Sequence, residues 1–208
     1  MMPTSQPCSA HDHDCSAADC GPAFSLYKHI DMPRVSCLNE AEAGTVVNIF
    51  KPWDQRLQPT VRPLCSNEDD PELLIHVPFD GAVKLKAIAV VGGLEGSAPA
   101  HLKVFINRDD VDFSLAETAT PVQEWALQED TRRVVLEYPT LVSRFNGVHS
   151  IDMYFKGNFG ADFTEIHFIG LKGDFTERRR QAVEAVYEAR AMPSDHKVPE
   201  VHGAHFGV

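Results

Sequence analysis

The chain contains no Cys-x-x-Cys pair, which removes the motif for thioredoxin-type thiol exchange. Its five cysteines are scattered: Cys8, Cys15 and Cys20 lie in a polar N-terminal stretch, followed by Cys37 and Cys65. That usage fits a reducing compartment better than a disulfide scaffold. No apolar run approaches the roughly 18 residues needed to cross a bilayer. The opening MMPTSQPCSAHDHDC lacks the basic and apolar regions of a secretory signal, so cytoplasm and nucleus are the expected locations. Basic charge is scarce, with 19 Lys and Arg against 30 Asp and Glu and a net charge of −11. This argues against nucleic acid or an anionic membrane as the main partner. There is no G-x-S-x-G or HExxH, and Gly92-Gly93-Leu94-Glu95-Gly96 is followed by no helical pattern that could aim amides at a phosphate. Without a catalytic motif, the chain is expected not to be an enzyme.

What is present is alternation. A period of two places successive side chains on opposite faces of a sheet. Candidate strands with this pattern cover 45–50, 73–79, 82–92, 101–106, 122–127, 133–138, 148–155 and 163–171. Turn-rich connectors at 51–60, 66–72, 92–99 and 107–121 separate them, and no long amphipathic helix intervenes. Short strands with such punctuation indicate an all-β sandwich or barrel. A short helical turn is expected near 38–43, with Asn39 as cap and Glu40 and Glu42 behind it. Segment 177–191 has helical propensity but also alternates Val183, Ala185, Tyr187 and Ala189 with polar neighbours, and a strand is favoured. Residues 1–22 read as a disordered tail bearing His and Cys, 23–197 as one domain, and 198–208 as a flexible tail.

Several segments together resemble the PITH domain, the C-terminal module of proteasome-interacting thioredoxin-like proteins. They are Cys37-Leu38-Asn39-Glu40, the acidic Ser66–Asp70 lead-in to Glu72-Leu73-Leu74-Ile75, and Val83–Ile88. Ser143–Val148 and the run from 157 to Phe168-Ile169-Gly170-Leu171-Lys172-Gly173 complete the set. No thioredoxin domain precedes them here, so the chain is most similar to the stand-alone members. The resemblance implies a jelly-roll β-sandwich of the galactose-binding-like type. It further implies association with the 26S proteasome, and it supplies no catalytic residues; a monomeric protein-interaction module is expected. A carbohydrate- or small-ligand-binding sandwich is the alternative, because fold alone does not fix the ligand.

A few constellations carry chemistry worth weighing. Cys8, His11, His13, Cys15 and Cys20 offer thiolate and imidazole to zinc, but their spacing matches no knuckle, so a solvated tail without cofactor is the plainer reading. Asp109, Asp110 and Asp112 are hard oxygen donors, yet EF-hand spacing is absent and a solvated charge run suffices. Trp53 is either a partner anchor or packing over the sandwich. Arg178, Arg179 and Arg180 form the one basic cluster and would meet either the chain's own carboxylates or an acidic partner. His149 and His167 sit within strands and are expected to be packing or hydrogen-bonded residues rather than ligands. In the final tail, His202, His205 and Phe206 make a candidate arm for a partner's groove, where an imidazole can fill the open position of a catalytic zinc.

Overall fold

A computed structural model describes residues 24–129 and 135–176. The proposed zinc set, Arg178–Arg180, the 177–191 strand, both tails and His202, His205 and Phe206 lie outside the described residues. Within them are β1 (Ser36–Leu38), β2 (Leu64–Cys65), β3 (Leu73–Gly92), β4 (His101–Ile106), α1 (Phe113–Thr118), β5 (Gln123–Ala126), β6 (Glu137–Pro139), β7 (Val148–Phe155) and β8 (Glu165–Thr176).

β3 organises the fold. Its first part pairs antiparallel with β1 on one side and β7 on the other, and β7 continues to β4 and β5. Its second part pairs with β8 and β6, and β8 continues to β2. The expected strands 73–79 and 82–92 are thus one strand shared by two sheets. Asp80-Gly81, between the two expected strands, lies inside this one strand, and the register with β7 shifts between Pro78 and Val83. A glycine fits there because a Cβ on Gly81 would sit 2.6 Å from the Phe175 ring.

The two sheets face each other across one apolar core. Leu73, Ile75, Val77, Val83 and Leu85 point inward from β3, and so do Ile88 and Val90. That sequence changes parity between 85 and 88. The register with β8 shifts between Leu85 and Ala87, so Lys86 is the extra residue of a bulge that turns the alternation over by one position. After it Ala89 and Val91 face outward, against Phe168 and Trp53. On the outer face of the other sheet, Leu74, Phe105 and Tyr154 are covered by Ala116 and Phe113 of α1.

Two local expectations fail. Residues 45–50 form no strand: Thr45–Ile49 is a 3-10 helix after Gly44 at φ +84°. Its period of three places Val46 and Ile49 together in the core, and that burial overrides the β-propensity of Thr-Val-Val. Asn39 caps no helix either. It takes a left-handed φ of 70° and its Nδ2 donates to the carbonyls of Asp70 and Glu72 at 3.1 and 2.7 Å. Glu40 does the capping, accepting from the amides of Gly44 and Val46 at 2.8 and 3.2 Å.

Candidate functional site: a loop platform and a histidine–aspartate pocket

Both ends of β3 meet the 156–164 loop that joins β7 to β8, and three loops gather there. Backbone bonds tie them together. Asp69 N donates to Asp162 O at 3.1 Å, Gly93 N to Glu165 O at 2.8 Å, and Phe159 N to Gly96 O at 2.9 Å. Thr164 is the buried clasp, its amide donating to Ser66 Oγ at 2.9 Å and its hydroxyl to Pro71 O at 2.6 Å. Asn158 Nδ2 closes the loop on itself through the carbonyls of Ala161 and Phe163, at 2.9 and 2.8 Å.

This fastened platform shows apolar groups to solvent. Leu94 is 50 %, Phe159 42 % and Phe163 37 % exposed. Leu94 and Phe163 line a cavity of about 390 Å³ together with Glu95, Ser97, Asp162 and Glu165. Large apolar side chains held outward on ordered loops, rimmed by carboxylates, form a surface suited to an apolar and basic partner. The sequence marks 143–173 as the strongest family signature, and its loop provides two of the three apolar groups.

A second cavity, of about 240 Å³, opens on the outer face of the other sheet, lined by Ser36, Leu38, Leu74, His76, Asp109, Val111 and Asp152. Adjacent strands set Ser36, His76 and Asp152 in one row, because Ser36 pairs with His76 and His76 with Asp152. His76 Nδ1 lies 2.6 Å from Asp152 Oδ1. The hydrogen bond to Asp152 raises the imidazole pKa above 6.5 against the opposing effect of burial, and Asp109 adds to the rise while Arg34 opposes it. No sequence motif announces this pair; only the β3–β7 register joins residues so far apart in the chain. A larger cavity of about 670 Å³ lies along β4 and β5, with His101, Lys103, Trp125 and Asn158 in its lining.

The other residues singled out in the sequence are accounted for locally. Trp53 packs edge-on to Phe168 with centroids 5.8 Å apart, and the Lys172 ammonium lies 3.9 Å and the Arg56 guanidinium 4.9 Å from its ring centre. Asp110 pairs with Arg108 through two 2.8 Å hydrogen bonds. Asp112 caps α1 by accepting from Leu115 N at 2.7 Å. Both are committed to structure, and no group of three or more His, Cys, Asp or Glu among the described residues is placed to hold a metal. His149 Nδ1 lies 3.3 Å from Gly81 O and His167 Nε2 3.2 Å from Glu165, so both are hydrogen-bonded or ion-paired as expected. Cys37 is no nucleophile, since burial pushes its thiol up to about 12 with help from Glu40.

Comparison with known proteins agrees with this architecture. Among solved structures, a family 32 carbohydrate-binding module of NanJ from C. perfringens, in complex with galactose, superposes with a TM-score of 0.51. The identity is 12 %, with 71 % of this chain and 97 % of that chain covered. A second module from Clostridium perfringens, solved with GalNAc-β-1,3-galactose, gives 0.50 at 8 % identity, covering 72 % of this chain and 99 % of that one. At such identities the likeness shows the fold alone, a galactose-binding-like jelly roll. In sequence, PITH domain-containing protein 1 of Dictyostelium discoideum is 36 % identical over 189 residues, 91 % of each chain. The Homo sapiens protein of the same name is 39 % identical over 182 residues, 87 % of this chain and 84 % of the relative. The PITH domain profile matches residues 16–191. With the profile spanning most of the chain and these relatives covering it at 36 and 39 % identity, the chain belongs to the PITH domain family.

Proposed function

We propose that this PITH-family chain is a non-enzymatic interaction module of the cytoplasm and nucleus that associates with the 26S proteasome as an adaptor or regulator. The observation that carries the interaction reading is the loop platform, where Leu94, Phe159 and Phe163 are exposed on loops fastened by backbone hydrogen bonds. An ordered apolar patch covered by nothing among the described residues favours association with another protein surface. The proteasome as partner rests on the likeness of the PITH segments to proteasome-interacting proteins. The test is affinity capture from lysate with mass spectrometry, comparing the full chain, a Leu94→Asp/Phe159→Asp/Phe163→Asp variant and a chain lacking 198–208. Proteasome subunits are expected with the full chain and depleted with the loop variant. Loss on tail deletion alone would move the contact to His202, His205 and Phe206, and absence of the subunits from the full chain would refute the proteasome reading.

A second reading, a small-ligand or carbohydrate module, is favoured by the 670 Å³ cavity with Trp125, His101 and Asn158 in its lining, an aromatic wall with polar groups. Titration with galactose by NMR discriminates: shifts confined to His101, Trp125 and Asn158 would support it, and none at millimolar sugar would remove it.

A further inference from the structure

The apolar groups of the loop platform sit among charges of one sign only. The three stretches that build it, 66–72, 92–99 and 157–164, hold six carboxylates and no lysine, arginine or histidine. Two of the six are engaged within the fold. Glu72 accepts from the Tyr154 hydroxyl at 2.6 Å, and Asp70 Oδ1 accepts from Glu72 N at 3.2 Å. Glu68, Asp69, Glu95 and Asp162 are exposed, and their side chains make no hydrogen bond or ion pair among the described residues. The backbone brings these carboxylates up to the apolar groups. Asp69 N donates to Asp162 O at 3.1 Å, and the amides of Phe159 and Ala161 both donate to Gly96 O, at 2.9 and 3.4 Å. Leu94, Glu95, Asp162 and Phe163 thereby line one cavity of about 390 Å³. Glu165, in the same lining, is already paired with His167 at 3.2 Å, so the uncompensated charge belongs to the rim.

Resting on the interaction reading of this platform, we propose that its partner presents a short basic and apolar segment. One large apolar side chain seats between Leu94 and Phe163, and Lys or Arg neighbours reach Glu95 and Asp162, with Asp69 and Glu68 beyond. An acidic segment is repelled from such a surface, whereas cations are steered to it. Lysine and arginine stems also lie along apolar surface, so the exposed Phe159 ring can be covered by the same residues that supply the charge. Each ion pair is exposed and contributes little, so the charges act by number and set which segment binds. The seated side chain, on loops already fixed by backbone bonds, sets how long it stays.

The test titrates the isotope-labelled full-length protein with four acetylated and amidated pentapeptides, ARFRA, AQFQA, AEFEA and ARARA. The amides of Leu94, Glu95, Phe159 and Phe163 are followed by NMR. ARFRA is expected to shift them and to bind at least about fivefold tighter than AQFQA at low salt, the scale of two exposed charge pairs. The gap should close at about 1 M salt. ARARA should bind more weakly than ARFRA for want of the anchor, and AEFEA should leave the platform unmoved. Glu95→Gln/Asp162→Ser changes two exposed side chains without partners among the described residues and should level ARFRA with AQFQA. Equal affinity of the native protein for ARFRA and AQFQA overturns the basic segment and leaves the platform standing as an apolar interface. No platform shift with any peptide at millimolar concentration also overturns it, and the lysate comparison with the Leu94→Asp/Phe159→Asp/Phe163→Asp variant then decides the platform separately. Platform shifts on dilution of the protein alone would assign the surface to a second copy, and shifts on removal of 198–208 to the chain's own tail; either result overturns the proposed partner.

Discussion

Replacing Gly173 by Ala tests the central construction of the fold, the bulge through which β3 changes phase. Gly173 pairs with Leu85 just where the register slips. A Cβ there would lie 2.1 Å from the Lys84 carbonyl oxygen, 3.0 Å from its carbon and 3.1 Å from Leu85 Cα. All three contacts are backbone, so no rotamer change relieves them, and the strands must separate or the bulge must move. Forced overpacking of this sort costs typically 1–3 kcal/mol, and the rigidity of the obstacle places Gly173→Ala near the upper end, about 3 kcal/mol. Alanine also reduces the freedom of the unfolded chain, which offsets the loss by no more than about 1 kcal/mol. For a domain of this size about 3 kcal/mol corresponds to a fall in Tm of roughly 6–12 °C. Gly44→Ala is the control: it has φ +84° and no atom within 4 Å of a Cβ, so only the left-handed backbone strain of about 1–2 kcal/mol applies. Thermal melts followed by circular dichroism compare the two. A Gly173→Ala protein melting as high as Gly44→Ala would show that the strands at Lys86 are loosely packed and that the bulge is not what sets the phase of β3.

Three further outcomes follow from local chemistry. Asn39→Ala loses two hydrogen bonds to carbonyls and places a Cβ residue without a local partner at φ 70°, and urea unfolding should show a loss of about 2–3 kcal/mol. Asn39→Gly should lose less, because glycine forfeits the same hydrogen bonds but adopts the left-handed φ without strain. Cys37, with a folded pKa of about 12 against an ordinary 9.0, keeps its proton in the folded chain after the unfolded chain has lost it. Stability should therefore fall between pH 9 and 12, and the fall should be shallower in Cys37→Ala; equal slopes would refute the assignment. His76 titrates the other way: its raised pKa contributes stability that is complete below pH 6.5 and disappears as pH rises through the folded value. The stability gap between the native protein and His76→Gln, measured by urea unfolding, should be widest in acid and narrow towards alkaline pH.

Much of the sandwich is legible from period alone. β4, β5, β7 and most of β8 lie where alternation places them, because each has one face on the core and local pattern suffices. Failures occur where distant chain decides. Thr-Val-Val-Asn-Ile reads as a strand, but Glu40 and the core pocket for Val46 and Ile49 wind it into a 3-10 turn. The expected strands 73–79 and 82–92 are continuous through Asp80-Gly81, since both halves of β3 find partners that keep it extended. The platform loops were visible as Gly- and Asn-rich punctuation, but the exposure of Phe159 and Phe163 depends on the clasp between Thr164 and Ser66. The His76–Asp152 pair was invisible because its partners are 76 positions apart in sequence and belong to unremarkable alternating runs.

One strand shared by two sheets has a mechanical meaning. A sandwich whose layers are joined only by loops can slide or open along its core, whereas here the layers hang on a common spine from Leu73 to Gly92. The platform meets that spine at both ends, and the His76 pocket lies on its first half. The proposed partner of the platform would then meet a preformed surface, and sequence changes on that surface should alter how long the complex lasts more than how quickly it forms.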